Sequence, residues 1–285
     1  MKKQPDFYSD LEPFLQCKDY TVSEELYDVK RNHAYDMLVT FPVPEKLENY
    51  YKSEKYISHT DSKKSLFDKM YQFVKNFTLQ KKVDLINSFG FENNTILDIG
   101  AGTGDFLKVC LKNNWTVFGI EPNQQAREIA KEKGIILHND LEVYSNKKFD
   151  VITLWHVLEH VENLSEFISQ LHNLLSENGK LIVAVPNYKS DDAVYYKEFW
   201  AAFDVPRHLW HFSQQSISKI FSSENFVVEK ILPMKFDSFY VSMLSEKYKT
   251  GNMNFLNGFW RGFVSNWKAR KTSEYSSLIY IIKKS

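Results

Sequence analysis

The chain has 285 residues, enough for one large domain with appendages or two small ones, each with a sizeable core. Its 36 lysines and arginines balance 36 aspartates and glutamates, so no overall charge attracts nucleic acid or an anionic membrane, and either would need a local patch. Cys17 and Cys110 lie far apart and imply no disulfide framework, while "MKKQPDFYSD" lacks a signal-peptide core and no run approaches the ~20 apolar residues of a membrane span, so the expectation is a cytoplasmic protein.

Residues 1–60 are irregular, with turn-like "FPVPEK" and Tyr-rich "ENYYKSEKY", and are expected to form an N-terminal appendage. From 62 to 89 the apolar residues Leu66, Met70, Phe73, Phe77, Val83 and Ile86 recur at helical spacing and end at Gly90, which predicts a helix with a break near Thr78. The rhythm then changes. Short β-rich runs, "TILDIG", "WTVFGI", "IIL", "FDVITLW" and "GKLIVAVP", alternate with helical stretches at 104–113, at "NQQAREIAKEKG" and at 163–176. Strand, helix, strand is the unit of a parallel sheet, and continuously apolar strands are buried on both faces. After Pro186 come an aromatic loop region, a helix at 213–223, a strand at "FVVEKIL", two helical stretches between 238 and 271, and a last strand "SLIYII".

The sharpest local signal is "LDIGAGTGDF", residues 97–106, a glycine turn between a predicted strand and a predicted helix. Glycine at Gly100, Gly102 and Gly104 lets the backbone turn tightly and come close to a ligand, and the helix that follows offers free N–H groups. A dinucleotide fold would carry a further glycine where this chain has Asp105. That acid, with Asp98 before the turn, would repel a pyrophosphate and suits a cationic ligand better. The next predicted strand ends in "GIEPN", which puts Glu121, followed by Pro122, where an acidic side chain meets ribose hydroxyls.

"DIGAGTG" followed by "EP" resembles the first two motifs of the class I S-adenosylmethionine-dependent methyltransferases. The resemblance implies S-adenosyl-L-methionine as cofactor, S-adenosyl-L-homocysteine as product, the glycine loop beside the methionine and ribose, and Glu121 on the ribose. Asp140 in "HNDLEV" matches the acid that meets the adenine amino group, with Leu141 beside the ring. "FDVITLWHVLEHV" and "AAFDVPRHLWHFS" further resemble a bacterial small-molecule subfamily related to the ubiquinone-biosynthesis methyltransferases. From Ser62 onward this implies a Rossmann-like, seven-stranded, mostly parallel sheet with helices on both faces and its last strand antiparallel. Cap insertions are expected at about 187–212 and 238–272. Members often begin with a zinc ribbon, whose "TxPxP" stretch resembles "TFPVP" here. Its second cysteine pair would fall on Asn32 and Tyr35, which are not thiolate ligands, so a degenerate, metal-free ribbon is expected.

"WHVLEHV" raises a different possibility. H-x-x-E-H is an inverted metalloprotease signature if His156 and His160 share a helical face. Because it follows an apolar run, Trp155 and His156 are expected at a strand end, both beside the cofactor, and no metal is expected. Methyl transfer to a hydroxyl gains from a base within hydrogen-bond reach. The candidates are His160, His208 and His211, the last two in "DVPRHLWHF". There Asp204 could orient a histidine, and Arg207 could bind an anionic acceptor or form a salt bridge.

The function predicted is methyl transfer to a small-molecule acceptor, most simply at oxygen. Its alternatives are a non-catalytic cofactor-binding partner or sensor and, more distantly, a zinc hydrolase. "NFLNGFWRGFVSNWKARK" sets Phe255, Phe259, Phe263 and Trp267 on one helical stripe with basic residues nearby. It is read first as a cap packed over the active site, and second as a peripheral membrane contact through residues 255–271.

Overall fold

The computed structural model describes residues 6–51 and 66–285, and of residues 66–73 the backbone only. The expected helix start at Ser62 therefore lies outside the described residues. Residues 11–41, expected to be irregular, form an antiparallel meander of β1 (Leu11–Lys18), β2 (Leu26–Asn32) and β3 (Met37–Phe41). Tyr27 and Val29 alternate into a buried face while Lys30 and Arg31 cover the rest. Hydrogen bonds shape the turns. Buried Asp19 accepts from the amides of Thr21 (2.9 Å) and Ser23 (2.8 Å), and Asn32 accepts from the Tyr35 amide at 3.0 Å. Asn32 and Tyr35, the positions matched to ribbon cysteines, thus close the β2–β3 turn through an amide hydrogen bond.

Helix α1 (Leu66–Asn87) runs unbroken. The expected interruption near Thr78 is absent, and the Thr78 hydroxyl donates back to the Lys75 carbonyl at 2.8 Å. There follow β4 (Thr95–Ile99), α2 (Asp105–Lys112), β5 (Thr116–Ile120), α3 (Gln124–Glu132), β6 (Phe149–Trp155), α4 (Leu164–Leu174) and β7 (Leu175–Pro186). Asn123 caps α3 by accepting from the Ala126 amide at 3.0 Å. The chain continues through α5 (Asp191–Tyr196), β8 (Trp210–His211), α6 (Gln214–Ser223), β9 (Phe226–Pro233), α7 (Asp237–Thr250), α8 (Phe255–Thr272) and β10 (Ser277–Lys284).

The main sheet has the order β5-β4-β6-β7-β10-β9, with β10 antiparallel to both neighbours and the first four strands parallel. Ile152, Leu154, Leu181 and Val183 are fully enclosed. Truncating one such side chain to alanine costs about 2–5 kcal/mol. Among the described residues this sheet has six strands rather than seven. At "IIL" the side chains of Ile135 and Leu137 are buried, but only His138 pairs with β5, through a bridge to Ile120.

Both expected cap regions behave differently from their sequence reading. Within 187–212, β8 leaves the main domain and pairs with β3, Leu38 opposite His211 and Val39 opposite Trp210, completing the N-terminal sheet β1-β2-β3-β8. The appendage is thereby stitched to the loop that closes over the sheet. In the second region α7 and α8 form a hairpin. Its contact face on α8 consists of the small buried residues Gly258, Gly262, Ser265 and Ala269. A Cβ on Gly258 would lie 2.6 Å from the Met243 Cα, and one on Gly262 2.8 Å from the Phe239 Cα. So close an approach admits no large side chain. The stripe of Phe255, Phe259, Phe263 and Trp267 is therefore turned outward, at 49%, 58%, 49% and 57% exposure, and is not the packed core of a cap.

Candidate active site

The parallel strands β4, β5 and β6 end on one side of the sheet, and the turns after them line one cavity, as open α/β sheets place their ligand sites. Among the described residues it has a volume of about 1270 Å³. Its wall includes Gly100, Glu121, Pro122, Asp140, Leu141, His156 and His160. It also includes Leu47, Glu48 and Tyr51 from the N-terminal region.

Gly100, Gly102 and Gly104 all adopt positive φ, 70°, 54° and 74°, a region that strains any residue with a Cβ. Their surroundings differ. A Cβ on Gly100 would meet Val157 Cγ2 at 2.5 Å, and one on Gly104 would press on Ala130 and Ile135 at 3.1 and 3.2 Å. At Gly102 no described residue lies within 4 Å of that position. Glu121 ties this loop to the next one, since Oε2 accepts from the Gly102 amide at 2.8 Å and Oε1 from the Asn123 amide at 2.9 Å. Each oxygen retains a lone pair for a hydroxyl. Asp140 is exposed, with one oxygen engaged by the Glu142 amide at 2.8 Å.

Asp98 lies beneath the loop rather than on the cavity wall. Buried, it accepts from the Thr153 hydroxyl at 2.6 Å, and burial raises its pKa to about 7 against the opposing pull of that hydrogen bond and of Lys82. Burial likewise lowers Lys82, on α1, to about 8. Its ammonium sits 4.0 Å from the Trp155 ring centroid. Trp155 itself packs edge-on against Phe106 and is not part of the cavity wall, contrary to its expected place beside the cofactor.

His156 leaves β6 with φ 57° and is held between two carboxylates, Nδ1 3.3 Å from Glu159 and Nε2 2.9 Å from Asp237. Burial opposes a charge on this ring, but Asp237 and Glu159 outweigh it and lift the pKa to about 10. The segment after it is a single 3₁₀ turn, Leu158–His160, so the two histidines of H-x-x-E-H do not form the helical pair of the metalloprotease signature.

His160 turns the other way. Its Nδ1 lies 3.0 Å from the Arg207 carbonyl, which can only accept, and 3.0 Å from the Tyr51 hydroxyl. The proton is thereby assigned to Nδ1, and Nε2 keeps a lone pair. Burial first and the neighbouring His208 second lower the pKa of His160 to about 4, so the ring is neutral at pH 7. His208 donates from Nδ1 to the Ala202 carbonyl at 2.8 Å. Glu159, His160 and His208 each bring one potential ligand atom within 4.8 Å of the others, and Glu159 Oε2 is buried with no hydrogen-bond partner among the described residues.

Of the three candidate bases only His160 lines the cavity. His208 stands behind it, with ring centroids 4.6 Å apart. His211 is withdrawn altogether. Thr40 donates to the His208 carbonyl at 2.6 Å, so His211 Nε2 donates to Thr40 Oγ1 at 3.0 Å, fixing the β3–β8 junction. Arg207 is the salt-bridging residue of the two expectations, bound to Asp204 and, at 3.2 Å, to Asp19.

Several contributors escaped the sequence reading. Glu159 was visible inside the motif. Lys82, a cation amid the apolar spacing of α1, and Asp237, an acid opening a helix, gave weaker signals. Tyr51 had none beyond a tyrosine-rich stretch.

Similarity to known proteins agrees with this geometry. Over residues 65–231 the chain matches the family described as methyltransferase domain. An uncharacterized methyltransferase of Anoxybacillus flavithermus (strain DSM 21510 / WK1) is 30% identical over 133 residues, 44% of this chain and 58% of that one. The ubiquinone biosynthesis O-methyltransferase of Pelagibacter ubique (strain HTCC1062) is 34% identical over 104 residues, 34% of this chain and 43% of that one. The chain thus spans about half the length of these curated relatives. Among solved structures, magnesium protoporphyrin IX methyltransferase from Synechocystis PCC 6803 with bound SAH superposes with a TM-score of 0.55 at 17% identity, covering 83% of this chain and 97% of that one. With the family match covering more than half of its length, the chain belongs to the methyltransferase-domain family.

Proposed function

We propose that this chain transfers a methyl group from S-adenosyl-L-methionine to an oxygen of a small-molecule acceptor. The observation that carries this is one cavity lined both by the glycine loop with Glu121, Asp140 and Leu141 and by His160. A single small-ligand site occupies roughly 300–1,000 Å³, so a cavity of about 1270 Å³ has room for two molecules side by side.

The residues fit the cofactor. Gly100 of the glycine loop lines the cavity, Glu121 keeps lone pairs for the ribose hydroxyls, and Asp140 and Leu141, on the same wall, would meet the adenine amino group and ring face. When bound, the cofactor supplies an activated methyl group on a sulfonium. The chain's task is to hold and dehydrate the acceptor beside it and to manage one proton. His160 Nε2 takes the acceptor's hydroxyl proton as the new C–O bond forms. The ring is neutral and therefore ready, and buried Glu159 offsets the positive charge the ring acquires. Tyr51 and the Arg207 carbonyl keep the ring in the required tautomer. Leu47 and Glu48 line the cavity and contribute to acceptor choice.

Calorimetric titration with S-adenosyl-L-homocysteine tests the cofactor half. One site is expected, weakened at least ~10-fold by Glu121→Ala, and no heat from the intact chain would overturn it. A panel of phenols and carboxylic acids with labelled cofactor tests the rest. His160→Ala should lower kcat by ~10²–10⁴ with cofactor affinity intact. Labelling at nitrogen or carbon alone would refute the oxygen acceptor, and tight cofactor binding with no transfer at all would favour a sensor.

A further inference from the structure

The outward face of α8 is the largest feature of the molecule that methyl transfer leaves unused. Leu256 is 86% exposed, Trp260 60%, Phe259 58% and Trp267 57%. The usual arrangement of an amphipathic surface helix is reversed here, with small residues against the protein and large apolar ones in solvent. The aromatics are ordered against one another, Trp260 stacked on Phe263 with centroids 5.7 Å apart and Phe259 on Phe239 at 4.8 Å. Contiguous exposed apolar surface of this kind marks an interaction site.

Charge selects the occupant. Over residues 235–272, all described, the exposed charged side chains are Lys235, Lys247, Lys249, Lys268, Arg270 and Lys271, and none is acidic; Asp237 and Glu246 are turned inward. This is a local excess in a chain whose net charge is +0. By helical periodicity Arg270 and Lys271 continue the aromatic face one turn beyond Trp267. The Asn266 side chain donates to the Lys235 carbonyl at 2.9 Å, which brings Lys235 to that same end of the antiparallel hairpin. Lys247 and Lys249 flank the other end. Lys268 is already paired with Asp191.

We infer that the α7–α8 hairpin docks on an anionic lipid bilayer, its tryptophans and phenylalanines lying at headgroup depth and its lysines and arginines among the phosphates. Tryptophan favours that depth, where an apolar ring and an N–H donor are both accommodated, and long cationic side chains reach outward to the phosphates. An interfacial helix binds through apolar burial together with attraction to anionic lipid, and this hairpin carries both ingredients. Among the described residues no helix is long and apolar enough to cross a membrane, so the contact is peripheral. Pairing of the face with a second copy would oppose cations to cations at both ends of the hairpin, in either orientation. The inference stands apart from the methyltransferase reading, since it uses none of the cavity residues.

The test is flotation of the full chain with vesicles of phosphatidylcholine alone and of phosphatidylcholine with about a third phosphatidylglycerol. Co-flotation with the anionic vesicles at low salt is expected, with a blue shift of tryptophan emission and much weaker binding to the neutral ones. The triple variant Leu256→Ser, Trp260→Ser, Trp267→Ser alters only exposed side chains and should lose at least ~10-fold in partition, with an unchanged circular dichroism spectrum. Lys247→Glu, Lys249→Glu, Lys271→Glu should lose binding specifically to the anionic vesicles. Absence of co-flotation, or undiminished binding by the serine variant, would overturn the proposal. So would a protein that ignores vesicles but self-associates through this face, seen as a dimer that the serine variant dissolves.

Discussion

Nε2 of His156 lies 2.9 Å from Oδ2 of Asp237, so the first residue of α7 holds the ring that ends β6. Burial works against the charged ring, and the Asp237 and Glu159 carboxylates overcome it, lifting the pKa to about 10. A histidine in the unfolded chain titrates near ~6.5. The native state therefore keeps a proton that the unfolded chain releases between those two values. This contribution is complete below ~6.5 and is lost as pH rises through about 10. The Asp237 carboxyl, held low by the charge on His156 despite its burial, contributes above its unfolded value and is lost on the acid side. Asp237→Asn should lower stability at neutral pH by about 1–3 kcal/mol and flatten the alkaline decline. Urea unfolding midpoints at pH ~6, ~8 and ~10 measure both, and an unchanged alkaline slope would show that the pair does not hold this proton.

Gly100 and Gly102 share a left-handed backbone but not an environment, so alanine at each should separate folding from binding. Gly100→Ala drives a Cβ to 2.5 Å from Val157 and should destabilise strongly. Gly102→Ala meets open space and should cost only about 1 kcal/mol of backbone strain. Its methyl group would nevertheless stand on the loop face that the proposed cofactor approaches. Thermal melts of Gly102→Ala should stay close to the parent while its S-adenosyl-L-homocysteine affinity falls ~10-fold or more. A melt that drops as far as that of Gly100→Ala would contradict the assignment.

Arg207 is 1% exposed and serves two carboxylates, Asp204 in its own loop and Asp19 in the β1–β2 turn. Removing it strands both. Arg207→Met should cost about 3–5 kcal/mol and loosen the N-terminal sheet first. Asp19→Asn, which keeps only one of the two oxygens that accept backbone amides, should cost about 1–3 kcal/mol. Hydrogen exchange of β1 to β3, read in both variants, checks the order, and equal protection of these strands in Arg207→Met and the parent would refute the link.

How much of this was legible beforehand divides along a physical line. The glycine loop and Glu121 were readable because their places are set by backbone geometry and short-range spacing, and Asp140 through its match to the family pattern. A turn between a buried strand and a helix needs glycine wherever it is built, and an acid at the next strand end follows in register. The last strand and the two helices before it were readable from local periodicity, and the antiparallel direction of that strand from the family resemblance. The histidines were not. His160, His208 and His211 are the same residue type within one short reach of space, and only the folded chain shows which faces the cavity, which stands behind it and which is consumed by Thr40. Nor could the aromatic stripe of α8 be assigned, because periodicity finds a face without saying where it points. That was decided by Gly258 and Gly262, which let α7 approach too closely for any larger residue. The same holds for the N-terminal meander, whose fourth strand arrives from a loop far along the chain. The sequence by itself determined the sheet and the cofactor loops, since these depend on neighbours along the chain. Tertiary structure decided which histidine faces the cavity, the stitching of the N-terminal sheet and the exposed aromatic face, since each depends on which distant group comes to lie against it.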